Sequence, residues 1–169
     1  MIFVTVGTHE LPFARLLAEV GEIASSSAFS HAEFFCQSGT AQLPPGVPGA
    51  PMLSFADMQE RMAAASAVVS HGGPATIIAA LAAGKPLVAV PRQRRYGEHV
   101  DDHQVQFCRH LHVERGLVVI EDVTQLGAAL ADAREGRAVA PRAGSAPQDA
   151  VAALGARIDA LLGRGPSPG

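Results

Sequence analysis

Apolar residues along the chain follow two alternating patterns, one typical of buried strands and one typical of amphipathic helices. Continuous β-rich runs predict strands of a parallel sheet, and they lie at residues 2–6, 31–36, 52–55, 67–70, 87–90 and 117–120. Regularly recurring apolar positions predict helices, and they lie at residues 11–25, 56–65, 75–83, 99–112 and 122–133. This alternation predicts an α/β fold with a Rossmann-like, doubly wound parallel sheet.

The alternation of strands and helices places a single α/β domain at residues 1–135. Within it, residues 37–51 form a predicted loop that is rich in Gly and Pro and long for a compact domain. We expect residues 136–146 to be a linker, residues 147–162 a C-terminal helix and residues 163–169 a flexible tail. The apolar stripe of that helix fits packing either on its own domain or on a partner.

Composition argues against several classes of protein. Across 169 residues, 13 basic and 16 acidic side chains give a net charge of -3, which offers no general basis for nucleic-acid binding. Cys36 and Cys108 show no metal-ligand spacing, so we expect buried free thiols and a reducing, cytoplasmic compartment. The first apolar run follows no basic segment and is too short for a signal peptide or a membrane span.

The fourth predicted strand ends in the sequence Ser-His-Gly-Gly-Pro, residues 70–74, and a helical pattern follows at once. A glycine turn between strand and helix aims backbone N–H groups and the positive end of the helix at one point, which suits a phosphate. His71 lies at the edge of this turn. The alternative is a plain tight turn with Pro74 in the first helical turn, where its missing N–H costs little.

A second glycine turn, Gly7-Thr8-His9, follows the first predicted strand. Glycine there lets a ligand approach the backbone closely, although a plain turn is the alternative, and the dinucleotide fingerprint G-x-G-x-x-G is absent. His9 is a candidate phosphate contact or base, or a solvated loop histidine. Because ligands of doubly wound sheets bind at the carboxyl ends of the strands, both turns and Pro91-Arg92 should face one crevice.

Two further polar stretches lie on the same side of the predicted sheet. Residues 97–104 open the predicted helix 99–112, so that His99 and His103 would share one helical face. The metalloprotease pattern H-E-x-x-H is absent, and sugar hydroxyls suit these side chains better than a metal; an acidic first turn that complements the helix dipole is the alternative. Residues 92–95, Arg-Gln-Arg-Arg, fit either a phosphate or acidic headgroup, or a solvated arginine loop.

The order of these motifs resembles a known family. Gly7-Thr8, residues 70–76, Gly84-Lys85-Pro86 with Val90-Pro91, and residues 98–104 occur in the order found in the C-terminal, donor-binding half of glycosyltransferase family 28, which has the GT-B fold. The chain is more narrowly similar to stand-alone catalytic subunits of two-component UDP-sugar transferases. These include the cytosolic subunit of N-acetylglucosaminyl-diphosphodolichol transferase and bacterial exopolysaccharide subunits, some of which transfer glucuronate.

The resemblance implies an inverting transferase that uses a UDP-sugar as donor, with no tightly bound cofactor or metal. It places the diphosphate beside Gly7 and Thr8 and the base near Ser54 and Phe55. By the same resemblance, the phosphates are held by His71 together with Gly72, Gly73, Pro74, Ala75 and Thr76. The donor sugar is contacted by Asp102, His103 and Gln104.

The resemblance also suggests catalytic roles. His71 and the N–H groups at the helix start would stabilise the charge that builds on the β-phosphate. A base must take the proton of the acceptor hydroxyl, and the base comes either from a partner or from His9, the local candidate. Many relatives carry a glutamate that holds the ribose hydroxyls, and Ala79 stands at the matching position here.

A GT-B transferase also needs an acceptor-binding half, for which 169 residues leave no room. The resemblance therefore implies a membrane-anchored partner subunit, a lipid-linked acceptor such as a polyprenyl-diphosphate sugar, and a site on the cytoplasmic face of the membrane. A non-catalytic nucleotide-binding regulatory or scaffold subunit is the main alternative. A nicotinamide-dependent oxidoreductase is a second one, against which the missing dinucleotide fingerprint counts.

Overall fold

The computed structural model describes residues 1–115 and 117–136. In these residues one parallel sheet has the strand order β3-β2-β1-β4-β5-β6. Its strands are β1 (Ile2–Thr5), β2 (Phe34–Gln37), β3 (Gly49–Ala50), β4 (Ala67–Ser70), β5 (Leu87–Ala89) and β6 (Val118–Val119). The predicted Rossmann-like α/β sheet is therefore confirmed, and the linker beyond residue 136, the C-terminal helix and the tail lie outside the described residues.

Helices cover both faces of the sheet, as in a doubly wound fold. They are α1 (Ala14–Ala24), α2 (Phe55–Ala64), α3 (Pro74–Ala82), α4 (His103–Arg115) and α5 (Leu126–Arg134). Side chains of α1 and α5 pack with Ile2 and Val4 of β1 in one core cluster. Side chains of α2, α3 and α4 pack with Phe3 of β1 in the other. Alternate residues of β1 thus point to opposite layers, which explains why its sequence is apolar throughout.

The strand order reverses direction beside β1. From β1 the chain moves outward to β2 and β3, and then returns to β4 on the opposite side of β1. In open α/β sheets this reversal leaves a crevice at the carboxyl ends of the two central strands, where ligands bind. Here the crevice lies between the ends of β1 and β4, where Thr5 pairs with Ser70.

The third strand is not where the apolar pattern predicted it. Residues 52–55 are not a strand, and β3 lies instead inside the predicted loop 37–51. Gly49 allows this pairing, because a Cβ there would overlap the backbone carbonyl of Cys36. Ser54 is the N-cap of α2, and its hydroxyl accepts a hydrogen bond from the Asp57 N–H at 3.1 Å.

The starts of three helices also differ from the prediction. Helix α5 begins at Leu126 rather than at residue 122, because a short 3₁₀ turn precedes it. Helix α1 begins at Ala14 rather than at residue 11. Helix α4 begins at His103 rather than at residue 99. The Asp101 carboxylate accepts a hydrogen bond from the His103 N–H at 3.0 Å, and this contact supports the start of α4 there. Residues 98–102 therefore form a loop at the carboxyl edge of the sheet.

Both cysteines are buried free thiols, as predicted, and burial raises the pKa of each to about 12. Within residues 1–115 and 117–136, no group of His, Cys, Asp and Glu side chains is arranged to hold a metal ion. None of the helices in that part of the chain is long and apolar enough to cross a membrane.

Candidate functional site

The turn after β1 is held by the buried side-chain amide of Gln37. Its Oε1 accepts hydrogen bonds from the Thr5 hydroxyl at 2.8 Å and from the Gly7 N–H at 3.1 Å. Its Nε2 donates to the carbonyls of Gly7 at 3.0 Å and Pro51 at 2.8 Å. Gly7 has φ +77°, a left-handed conformation that glycine adopts without strain. The amide therefore fixes both polar backbone groups of Gly7 and ties this turn to the segment that leads into α2.

His71 lies across the crevice from this turn, at the end of β4. The backbone N–H of His71 donates to the Thr5 carbonyl at 3.1 Å, which continues the pairing of β1 with β4. A Cβ on Gly7 would lie 2.6 Å from Nε2 of the His71 ring, and a Cβ on Gly73 would overlap the same atom. The ring is thus seated between two glycines, each of which leaves the space that the ring occupies.

The His71 ring is uncharged at neutral pH. Burial and the positive charge of Arg92 lower the pKa of His71 to about 4, while the backbone of Thr5 acts in the opposite direction. The described residues offer its buried Nδ1 no hydrogen bond of good geometry. A neutral imidazole offers a ligand a hydrogen bond but no positive charge.

Helix α3 begins directly beside this ring. Gly73 is its N-cap and Pro74 is its first residue, so the next free backbone donors are the N–H groups of Ala75 and Thr76. Gly72, with φ +85°, packs closely on Cys108 of α4 and on Pro91, which follows β5. The first turn of α3 therefore presents donors and the positive end of the helix dipole at the mouth of the crevice.

Arg92 is completely buried below the crevice, with 0% of its surface exposed. Its guanidinium donates to the carbonyls of Val6 at 2.8 Å, Leu11 at 2.7 Å and Glu98 at 2.9 Å. The predicted solvated arginine loop is therefore wrong at Arg92 and holds only for the exposed Arg94 and Arg95. Arg92 joins the loop between β1 and α1 to the loop before α4.

Glu98 is the carboxylate of this buried cluster. Its two oxygens receive Nε and Nη2 of Arg15 at 2.8 and 2.9 Å, and Oε2 also accepts from the Gln93 N–H at 3.0 Å. The Arg15 guanidinium donates further to the carbonyls of Pro91 and Glu121. These contacts anchor α1 to the loop that follows β5.

Histidines form the outer edge of the crevice. The rings of His9 and His99 lie 4.7 Å apart, and the Asp101 carboxylate is 3.1 Å from Nδ1 of His99 and 3.0 Å from Nδ1 of His103. The prediction that His99 and His103 share a helical face is wrong, because α4 begins only at His103. They flank Asp101 instead.

His9 has a defined hydrogen-bonding role. The Leu11 N–H donates to its Nδ1 at 3.1 Å, so in the neutral ring the proton is on Nε2. Burial, together with the charges of His99 and Arg92, lowers the pKa of His9 below its usual value. This tautomer makes His9 a donor and disfavours the role of base.

A family model described as the glycosyltransferase family 28 C-terminal domain matches residues 1–153. The chain belongs to this family. The match agrees with the resemblance drawn from the motifs, and it covers both glycine turns, Arg92 and the start of α4. A comparison with curated proteins found no match.

Solved transferases share the fold of this family 28 domain. CalG4, the calicheamicin glycosyltransferase, aligns with a TM-score of 0.60 and 21% identity over 99% of this chain and 43% of that chain. The spinosyn forosaminyltransferase SpnP aligns with a TM-score of 0.56 and 15% identity over 95% of this chain and 39% of that chain. The chain thus has the fold of the C-terminal half of GT-B glycosyltransferases and spans about two fifths of the length of these structures.

Several predicted site residues of the family 28 domain converge on the crevice. Gly7 contacts the His71 ring, and Gly72 and Gly73 lead from this ring into the first turn of α3. Gln104 lies beside them, because its Oε1 accepts from the Arg92 N–H at 3.3 Å.

Other predicted residues lie farther out. Thr8 and His103 are exposed, and the Asp102 carboxylate accepts from the Arg94 N–H at 2.9 Å. On the opposite side, the Ser54 hydroxyl caps α2, and the Phe55 side chain is 81% exposed. The segment before Ser54 is joined to the turn after β1 through the hydrogen bond from Gln37 to the Pro51 carbonyl.

Gln37 was not identified from the sequence, Asp101 was singled out only as part of the polar stretch 97–104, and the structural position of Arg92 was not foreseen. Gln37 is a buried polar residue at the end of a strand, and this position was the available signal. Asp101 precedes a helix by two residues, which is a capping signal. Nothing in the sequence separates the buried Arg92 from its exposed neighbours.

Proposed function

We propose that this chain is the catalytic, UDP-sugar-binding subunit of a two-component inverting glycosyltransferase. One observation carries the proposal: in a family 28 domain, the glycine turn after β1, the His71 ring and the first turn of α3 meet at the topological switch point. Free N–H groups and a helix dipole at such a point suit the diphosphate of a nucleotide sugar.

The two glycines support this ligand class. Gly7 and Gly73 leave the space that the His71 ring occupies, so that the ring lies against both backbone turns. With its proton on Nε2, the neutral ring would donate a hydrogen bond to a phosphate oxygen, and the N–H groups of Ala75 and Thr76 would supply further donors.

The reaction would be a substitution at the anomeric carbon of the donor sugar. The acceptor hydroxyl oxygen forms a bond to the anomeric carbon. At the same time the bond between the anomeric carbon and the β-phosphate oxygen breaks, and its electron pair leaves with UDP. The acceptor proton passes to a base. His71 and the start of α3 would stabilise the charge that develops on the leaving phosphate, which is electrostatic catalysis. Because the tautomer of His9 disfavours base chemistry there, we propose that the partner supplies the base.

The proposed partner is a membrane-anchored subunit that binds a lipid-linked acceptor, such as a polyprenyl-diphosphate sugar, in glycan or exopolysaccharide synthesis. The resemblance to subunits of two-component transferases supports this assignment. We place the chain on the cytoplasmic face of the membrane through this partner.

A thermal-shift panel tests the donor class. UDP, UDP-glucose, UDP-N-acetylglucosamine and UDP-glucuronate should raise the melting temperature, because a ligand that binds only the native state stabilises it. NAD should leave the melting temperature unchanged. A shift with NAD and none with UDP would instead support the oxidoreductase alternative.

A transfer assay tests the catalytic role. The chain should transfer sugar from one of these donors to a polyprenyl-diphosphate acceptor only when membranes that contain the partner are added. Ala79, which provides no carboxylate for the ribose, favours the alternative of a regulatory or scaffold subunit. UDP binding without any transfer by the pair would establish that alternative.

A further inference from the structure

Within the part of the chain that the structure describes, Arg92 carries a buried charge that makes no direct ion pair. Its guanidinium is fully buried, and its hydrogen bonds go to backbone carbonyls of Val6, Leu11 and Glu98. Within the described residues, its Nε has no hydrogen-bond partner. A buried cation that is satisfied only by neutral dipoles is costly, because burial removes its hydration.

The carboxylate of Glu98 does not pair directly with Arg92. Both of its oxygens are taken by Arg15 in a two-point contact, so the Glu98 carboxylate acts on Arg92 through space, while the Glu98 backbone carbonyl accepts the hydrogen bond from Arg92. Arg15, Arg92 and Glu98 together therefore carry one net positive charge beneath the crevice. A net positive charge in low-dielectric surroundings raises the local potential and attracts an anion to the adjoining crevice.

The geometry directs this charge toward the glycine turns. Val6 and Leu11 lie at the two ends of the loop that contains Gly7, and Arg92 donates to both of their carbonyls. The positive charge of Arg92 lowers the pKa of His71 and also that of His9, so its field reaches both sides of the crevice. Glu10 and Asp101 act on His9 in the opposite direction.

We propose that Arg92 supplies the fixed positive charge of the diphosphate site without touching the donor. This role rests on the proposed function, since it requires that a diphosphate binds at the crevice. Arg92 is thus a positioning residue with a second, electrostatic task. The neutral His71 ring provides a directed hydrogen bond, and the buried guanidinium provides the charge.

The test compares two substitutions that disturb the same hydrogen bonds but differ in charge. Arg92→Lys keeps the positive charge, whereas Arg92→Gln removes it. Affinities of the full chain for UDP, UMP and uridine are measured by calorimetry, and circular dichroism checks the fold of each variant. Arg134→Gln removes an exposed arginine on α5 and is the control for net charge.

Arg92→Gln should weaken UDP binding about tenfold and uridine binding less than about twofold, because a removed charge acts on the phosphates alone. Arg92→Lys should retain UDP affinity within about threefold, and Arg134→Gln should match the wild type. An equal loss of UDP affinity in the Lys and Gln variants overturns the proposal, as does an equal loss of UDP and uridine affinity in Arg92→Gln.

If Arg92→Gln does not fold, Glu98→Gln is the second test, because it changes the net charge of the buried cluster in the opposite direction. Removal of the buried negative charge should tighten UDP binding about threefold and leave uridine binding unchanged. Unchanged or weaker UDP binding overturns the proposal. Binding of UDP by the wild-type chain distinguishes failure of the proposed function from failure of the proposed role of Arg92. If the wild type does not bind UDP, the proposed function itself fails. If the wild type binds UDP but the variants do not change the affinity as expected, only the role of Arg92 fails.

Discussion

The imidazole ring of His71 occupies the space in which a side chain of residue 7 would lie. A Cβ on Gly7 would be 2.6 Å from both Cε1 and Nε2 of this ring. Gly73 leaves space for the ring on its other side. The position of the His71 ring therefore depends on the absence of a side chain at both residues 7 and 73. A substitution at either glycine should displace the ring while His71 itself is unchanged.

Gly73→Ala is the cleanest way to displace the ring. The φ of Gly73 is -69°, which any residue adopts, so the backbone is not strained and the atoms nearest to the new methyl group are those of the His71 ring. We expect UDP affinity to fall about tenfold, with a loss of about 1–3 kcal/mol in the free energy of unfolding. Calorimetry and urea unfolding measure the two quantities. Gly127→Ala in α5, where a Cβ has ordinary contacts, is the control and should leave UDP affinity unchanged.

Gly7→Ala should be more costly, because it adds backbone strain at φ +77° to the overlap with the His71 ring. We expect a loss of about 2–4 kcal/mol in the free energy of unfolding. In a His71→Ala background the same substitution should cost only about 1 kcal/mol, since the overlap is gone.

Gly84→Ala is the control for the backbone term alone, because Gly84 has φ +64° and a Cβ there meets open space. Its cost should equal that of Gly7→Ala in the His71→Ala background. Additive costs of Gly7→Ala and His71→Ala would show that the ring and the turn are independent.

His71 should also make the stability depend on pH. Its pKa is about 4 in the folded state and 6.5 without the protein environment, so the unfolded chain binds the proton first as the pH falls. His71 therefore lowers the free energy of unfolding as the pH drops from about 6.5 to 4, by a total of about 3 kcal/mol. Urea unfolding of the wild type and of His71→Gln at pH 7 and pH 4.5 measures this. Equal pH dependence in the two proteins would contradict the lowered pKa.

The buried amide of Gln37 should not tolerate an isosteric carboxylate. Gln37→Glu removes the donor to the carbonyls of Gly7 and Pro51 and brings a buried negative charge against both. We expect a loss of about 2–4 kcal/mol in the free energy of unfolding. Gln42→Glu makes the same change on the exposed loop and should have almost no effect. Similar stabilities of the two variants would show that the amide does not hold the turn.

His9 should act as a donor and not as a base. Because its Nδ1 accepts from the Leu11 N–H, the proton of the neutral ring is on Nε2. His9→Gln places an amide donor near the same point, so kcat of the assembled transferase should stay within about threefold of the wild type, whereas loss of a general base costs at least about a hundredfold. Nitrogen chemical shifts of the ring would report the tautomer directly.

The fold was largely predictable, because buried parallel strands are apolar on both faces. The strand at residues 67–70 was predicted at its observed bounds for this reason. The third strand was not, since Gly49–Ala50 is too short for any pattern and depends on backbone contact with Cys36.

The glycine turns of the site were also predictable, because their spacing after the strands is local. The role of Arg92 was not, since its burial depends on carbonyls contributed by Val6, Leu11 and Glu98 from different parts of the chain.

The crevice joins segments that are distant along the chain. About sixty residues separate Gly7 from His71, and the two meet because β1 pairs with β4, while β2 and β3 lie on the other side of β1. Such non-local pairing is characteristically slow to form. A partly folded form that lacks this pairing would not contain the proposed donor site. The nucleotide would therefore stabilise the native state alone: it would slow unfolding and protect the chain from proteases, but it would not speed folding.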